Sequence, residues 1–191
     1  ANRPLTFVSG SPTFFKRVLE SKAALDSVRE DGIFLKNYTD LTSTNLAEFD
    51  VFSIVPDLKE QVGYKLAVFL EIRLEMPASA PEIYLGDDSE ADFVVYNLYH
   101  RFTAGELDVS ALLAELDALE VVPVWRDLIA ELAPKVAAHL AGSPAPVRAI
   151  YINRTGKTNE RFTVSDWLIA NMSRLHTGAW PLILDLYEEG L

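Results

Sequence analysis

The chain has 191 residues, 49% apolar and 24% charged, which excludes wholesale disorder and leaves room for one sizeable core. It contains no cysteine, which excludes disulfides, thiolate metal sites and cysteine nucleophiles. The formal net charge of −11 repels phosphate backbones and anionic headgroups, so neither nucleic acid nor a membrane is expected as a partner, whereas a basic protein would be drawn in.

No apolar run reaches the roughly 18–20 residues of a membrane helix. Residues 1–10 lack the basic start and long apolar centre of a signal peptide, so no targeting segment is expected. The absence of cysteine fits a cytoplasmic location.

Leu5 to Ser9 (LTFVS) reads as a short buried strand. Ser11 then suits an N-cap and Pro12 a first helical residue. Phe14, Phe15, Val18, Leu19, Leu25 and Val28 recur at helical spacing, with Gly32 expected to close that helix. Ile33 to Leu35 is a second short strand, and Asp50 to Val55 (DVFSIV) a third, apolar throughout. Residues 58–76 carry both an alternating pattern and a helical stripe. The run is too long for an ordinary strand and ends at Pro77, so a helix is expected.

Pro81 to Leu85 (PEIYL) is expected to be a fourth strand and Asp92 to Tyr99 (DFVVYNLY) a fifth. The gap between them, Gly86 to Ala91, is too short for a parallel crossover. Either these two strands are antiparallel or one of them is not a strand. The second half then turns helical. Asp108 or Ser110 caps a stretch through Leu116, and a helix follows Pro123 that Pro134 kinks or restarts. Gly142 to Pro146 is the clearest linker, Val147 to Ile152 (VRAIYI) a strand, and Thr163 starts a helix through Trp167 towards Leu175. The tail from Trp180 to Leu186 is apolar enough to pack.

This order argues for a single α/β domain over 1–191 with a sub-boundary near 142–146. Its mostly parallel open sheet, of flavodoxin-like type, carries helices on both faces, and the C-terminal half is helix-rich.

Two segments carry candidate chemistry. Ser9, Gly10, Ser11 and Thr13 form a strand-to-helix turn whose amides and hydroxyls suit an anion or sugar, although Ser and Pro are also favoured there simply as caps. Asp57 and Glu60 stand at the carboxyl end of the third strand. There they would orient a ribose hydroxyl or stabilise an oxocarbenium-like centre, or act only as a cap and a first-turn acid.

The run FVSGS, a helix, then DVFSIVPDLKEQVGYKLA, over residues 5–86, resembles nucleoside 2-deoxyribosyltransferases and, more loosely, TIR domains. The resemblance implies an open flavodoxin-like fold, Glu60 as the matching glutamate, and Ser9 to Ser11 as the phosphate or sugar loop.

The remaining motifs point to less. Asn153 to Thr158 ends in Gly-Lys-Thr, but Tyr151 stands where a phosphate-binding loop needs its first glycine, so a turn with Gly156 at positive φ is expected. Of three histidines, His139 reads as structural, whereas His100, placed at a strand end beside Tyr96 and Tyr99, could reach a cleft as an acid or base. No histidine pair has metal-ligand spacing and no dinucleotide fingerprint follows the first strand, so neither a metal nor a cofactor is expected.

Two functions stay open. One is a nucleoside- or nucleotide-binding protein, cleaving or transferring at an N-glycosidic bond through Glu60 with Asp57 beside it. The other is a non-catalytic acidic module of the immunity or antitoxin kind that binds a basic protein. The oligomeric state is not legible.

Overall fold

The computed structural model describes residues 4–36, 58–156 and 163–188. The chain divides into two compact units, residues 1–57 and 58–191. Both are built from parallel strands and helices, so the α/β class expected from sequence is the class observed. The expected strand over 50–55 and Asp57 lie outside the described residues.

In the first unit, β1 (Thr6–Pro12) and β2 (Gly32–Lys36) pair in parallel, from Thr6 opposite Gly32 to Pro12 opposite Lys36. The register slips between Ser9 and Pro12, so the Gly10–Ser11 stretch belongs to an irregular strand end. A short 3-10 helix (Thr13–Phe15) leads into α1 (Lys16–Leu25). Ser11 is therefore not the N-cap. The cap position is Phe15, which makes no side-chain cap bond, because the strand continues two residues further than the Ser-Pro signal indicates. Helix α1 also ends earlier than its apolar spacing suggests. Ser27 turns the chain at φ 57, and Gly32 opens β2 instead of closing the helix.

The second unit begins with α2 (Leu58–Glu75), so residues 58–75 are helical, as expected. Every residue from Gln61 to Leu70 is buried. A helix buried all round has no single apolar stripe, which explains its ambiguous pattern. The sheet order is β3 (Glu82–Asp87), β4 (Val147–Asn153), β5 (Ser173–His176), all parallel. The central β4 buries Ile150, Tyr151 and Ile152, as a parallel strand covered on both faces must.

The connection from β3 to β4 holds α3 (Asp92–Thr103), α4 (Val109–Ala118) and α5 (Pro123–Leu140). Residues 92–99 are thus the start of a helix and not a fifth strand. The six-residue gap that excluded a parallel crossover is simply a strand-to-helix turn. Asp108 caps α4, its carboxylate accepting from the Ala111 amide at 2.8 Å. Pro134 lies inside α5, which runs through it as one helix. The run 142–146 is the connection from α5 to β4, inside the second unit.

The expected helix from Thr163 is only α6 (Val164–Trp167), and the chain then forms β5, a strand the sequence reading missed. The last helix is α7 (Ala179–Glu188).

The core forms where α2 packs on α5 and α3, and α3 on β3. Phe69, Tyr84, Tyr96 and Tyr99 cluster with ring centroids 4.8 to 5.8 Å apart. At its far end the fully buried Arg73 donates to the Ala80 and Pro77 carbonyls and, at 3.1 Å, to Glu82. Glu82 also accepts from Tyr99 at 2.9 Å and from Tyr84 at 3.3 Å. Burial raises the Glu82 pKa, against the pull of Arg73 and the tyrosines. No described helix is long and apolar enough to cross a membrane.

Candidate functional site

The carboxyl end of β3 runs straight into α3 through Gly86-Asp87-Asp88-Ser89-Glu90-Ala91-Asp92. Asp87, Asp88 and Asp92 each have an anchor on the backbone or a hydroxyl. Asp87 Oδ1 accepts from the Ser89 amide at 2.8 Å and the Ser89 hydroxyl at 2.6 Å, an Asx-type turn. Asp88 Oδ1 accepts from both the amide and the hydroxyl of Thr155 at 2.8 Å, and its own amide donates to the Asn153 carbonyl at 3.1 Å. These bonds tie the loop to the end of β4.

Asp92 lies in the first turn of α3, where the helix dipole favours an anion. One oxygen faces Lys65 Nζ at 2.5 Å, and the other lies 3.4 Å from the Asp87 amide. Lys65 reaches Glu90 as well, at 2.9 Å. The lysine is only 2% exposed. Burial pulls its pKa down, but Asp92 and Glu90 outweigh that and raise it, so the ammonium stays charged. Burial raises the Asp92 pKa, with Lys65 opposing.

Gly86 makes this geometry sterically feasible. A Cβ there would lie 2.7 Å from Asp92 Cβ and Oδ2 and 2.8 Å from Tyr96 Cε2. Tyr96 in turn donates to the Leu85 carbonyl at 2.9 Å, which fixes α3 over the strand end.

No protein-family model, curated protein or solved structure matches the chain.

The residues expected from sequence are distributed as follows. Ser9, Gly10 and Ser11 stand in β1 and Thr13 opens the 3-10 helix, all in the first unit. Glu60 and His100 belong to the second unit, in the first turn of α2 and near the end of α3. Lys65 meets Asp92 at the carboxyl end of β3, and Tyr99 meets Glu82 at its amino end. Glu60 and His100 therefore lie towards opposite ends of the strand.

His100 is buried in a helix and not at a strand end. Its Nδ1 has no partner, its Nε2 is 3.9 Å from Glu106, and burial lowers its pKa. His139 is structural as expected, with Nε2 2.9 Å from the Met76 carbonyl. Gly156 has φ +76, the positive φ expected of it.

Sequence reasoning missed Lys65, Asp87, Asp88, Glu90 and Asp92. The signal was an acidic run directly after an apolar strand. Reading 92–99 as a strand hid it, because Asp92 then had no helix N-terminus to occupy. Among the described residues no group of three His, Cys, Asp or Glu side chains is arranged to hold a metal ion.

Proposed function

We propose that this chain is a nucleotide-binding α/β protein whose ligand sits at the carboxyl edge of β3 and β4, its phosphate arriving as a Mg2+ complex beside Lys65. The observation that carries this is the buried Lys65 ammonium, held between Asp92 and Glu90 at the end of a parallel strand.

Ligands of open α/β sheets lie beyond the carboxyl ends of the strands. The loop carries four carboxylates, Asp87, Asp88, Glu90 and Asp92, and a phosphate bound beside them would come with a cation. Mg2+ fits that role, since it binds through one or two carboxylates together with ligand phosphates and water and needs no complete protein cage. In this reading Asp87 and Asp92 would meet the Mg2+, and Lys65 supplies a fixed positive charge.

Cleavage or transfer at an N-glycosidic bond through Glu60 is the catalytic form of the same reading, and it rests on the sequence resemblance. Glu60 lies five residues before Lys65 on α2, about 7.5 Å along and about 140° round the helix. It stands at the right end of the helix but on another face.

The test is thermal shift and calorimetry with nucleosides, mono- and dinucleotides, each with and without Mg2+, alongside assays of base and phosphate release. A Mg2+-dependent rise in melting temperature with nucleotides is expected, lost in Lys65→Met and Asp92→Asn. No shift with any of these ligands in either condition ends the proposal.

A second reading, the acidic module that captures a basic protein, has α7 behind it. Trp180, Ile183, Leu184 and Tyr187 form an i, i+3, i+4, i+7 stripe, with Trp180 75% and Tyr187 81% exposed. The tail therefore forms a helix but leaves much of its apolar face open. Affinity capture at low and high salt tests this reading, and a stoichiometric basic partner released by salt is the result expected of it.

A further inference from the structure

Asp87, Asn153 and His176 are paired in one row across the carboxyl ends of β3, β4 and β5. Strands lie about 4.8 Å apart and paired residues project to the same face, so the row spans about 10 Å from the acidic loop to β5. The two residues beyond Asp87 are fixed by a single backbone unit. The Gly178 amide donates to Asn153 Oδ1 at 3.1 Å, and the Gly178 carbonyl lies 2.9 Å from His176 Nδ1. Gly178 has φ +79, a conformation that side-chain-bearing residues rarely adopt. The Arg154 amide donates to the His176 carbonyl at 2.7 Å and locks the ends of β4 and β5 together.

This clamp determines what each side chain offers. A carbonyl only accepts, so in the neutral His176 ring Nδ1 carries the proton and Nε2 keeps the lone pair. Asn153 uses its oxygen on Gly178, so its Nδ2 presents two donors. A donor and an acceptor thus stand one strand apart at the edge of the proposed site. A phosphate, which only accepts from such groups, would find an unfavourable lone pair at Nε2. A planar heterocycle with an acceptor and a donor side by side satisfies both.

We infer that Asn153 and His176 read the base of the bound nucleotide, through the hydrogen-bonding edge that an amino-purine or amino-pyrimidine presents. This rests on the nucleotide reading above and adds the base as the element being recognised.

Calorimetry with Mg2+ complexes of AMP, CMP, GMP and ribose 5-phosphate tests it, on the wild type and on Asn153→Ala, Asn153→Asp and His176→Phe. At least one nucleotide is expected to bind about tenfold tighter than ribose 5-phosphate, the scale of a specific hydrogen bond in a site. Each variant should bring that nucleotide down to the ribose 5-phosphate level while ribose 5-phosphate binding stays unchanged, which also shows that the variant is folded. Equal binding of ribose 5-phosphate and all nucleotides, or variants that keep the preference, overturns the inference and leaves the phosphate site standing. Loss of all binding in the wild type overturns the nucleotide reading itself.

Discussion

At the scale of single residues, Gly86 leaves no room for a side chain. Any Cβ there meets Asp92 and Tyr96 at under 3 Å, and neither can move without giving up Lys65 or the Leu85 carbonyl. Gly86→Ala is expected to cost about 1–3 kcal/mol, the range of overpacked sites, and to weaken Mg2+–nucleotide binding at the same time. Urea unfolding and calorimetry on the one variant check both. His100 makes a pH prediction. Its folded pKa lies below the ordinary 6.5 because burial disfavours the charged ring. The neutral form is the one the fold prefers, so its contribution is complete above pH 6.5 and is lost as the pH falls through the folded value. Between pH 7.5 and pH 5 the wild type should lose more unfolding free energy than His100→Gln, which has nothing to titrate there. Parallel slopes in urea titrations across that window would contradict the assignment.

At the scale of elements, the packing of α2 on α5 depends on one close approach. A Cβ at Gly63 would lie 2.6 Å from Trp125 Cβ and 2.7 Å from Val121 Cγ1. Gly63→Ala gains helix propensity, about 1 kcal/mol in an exposed helix, but must push α5 away. Net destabilisation is expected, read as a lower urea midpoint with an unchanged slope. Helix α3 shows the limit of local reading. DFVVYNLY is rich in Val and Tyr, residues that favour strands, yet from Phe93 to His100 every side chain is buried, and a helix buried on all sides carries no periodicity to recognise. The strands PEIYL and VRAIYI and the Asp108 cap were legible because their signals lie within a few residues of each other.

At the scale of the whole molecule, the chain divides into two units, 1–57 and 58–191. The described residues of the first unit, 4–36, hold a two-stranded parallel sheet and a helix whose one buried residue is Ala23. Residues 58–191 hold a three-stranded sheet with the α2, α3 and α5 core. Expressed alone, 58–191 is expected to give a helical circular dichroism spectrum and a cooperative thermal transition, because its helices and sheet pack into a shared core. A non-cooperative melt of 58–191 would show that the division does not correspond to independent stability.

Sequence by itself determined the α/β class, the absence of thiol chemistry, the acidic surface charge and most element positions, since composition, capping and crossover length act over short stretches of chain. Tertiary structure alone decided that Lys65 meets Asp92, 27 residues away, and that Gly178 orients Asn153 from 25 residues off. Such pairings are set by which strand ends and helix ends the sheet brings side by side, and no local pattern encodes that neighbourhood.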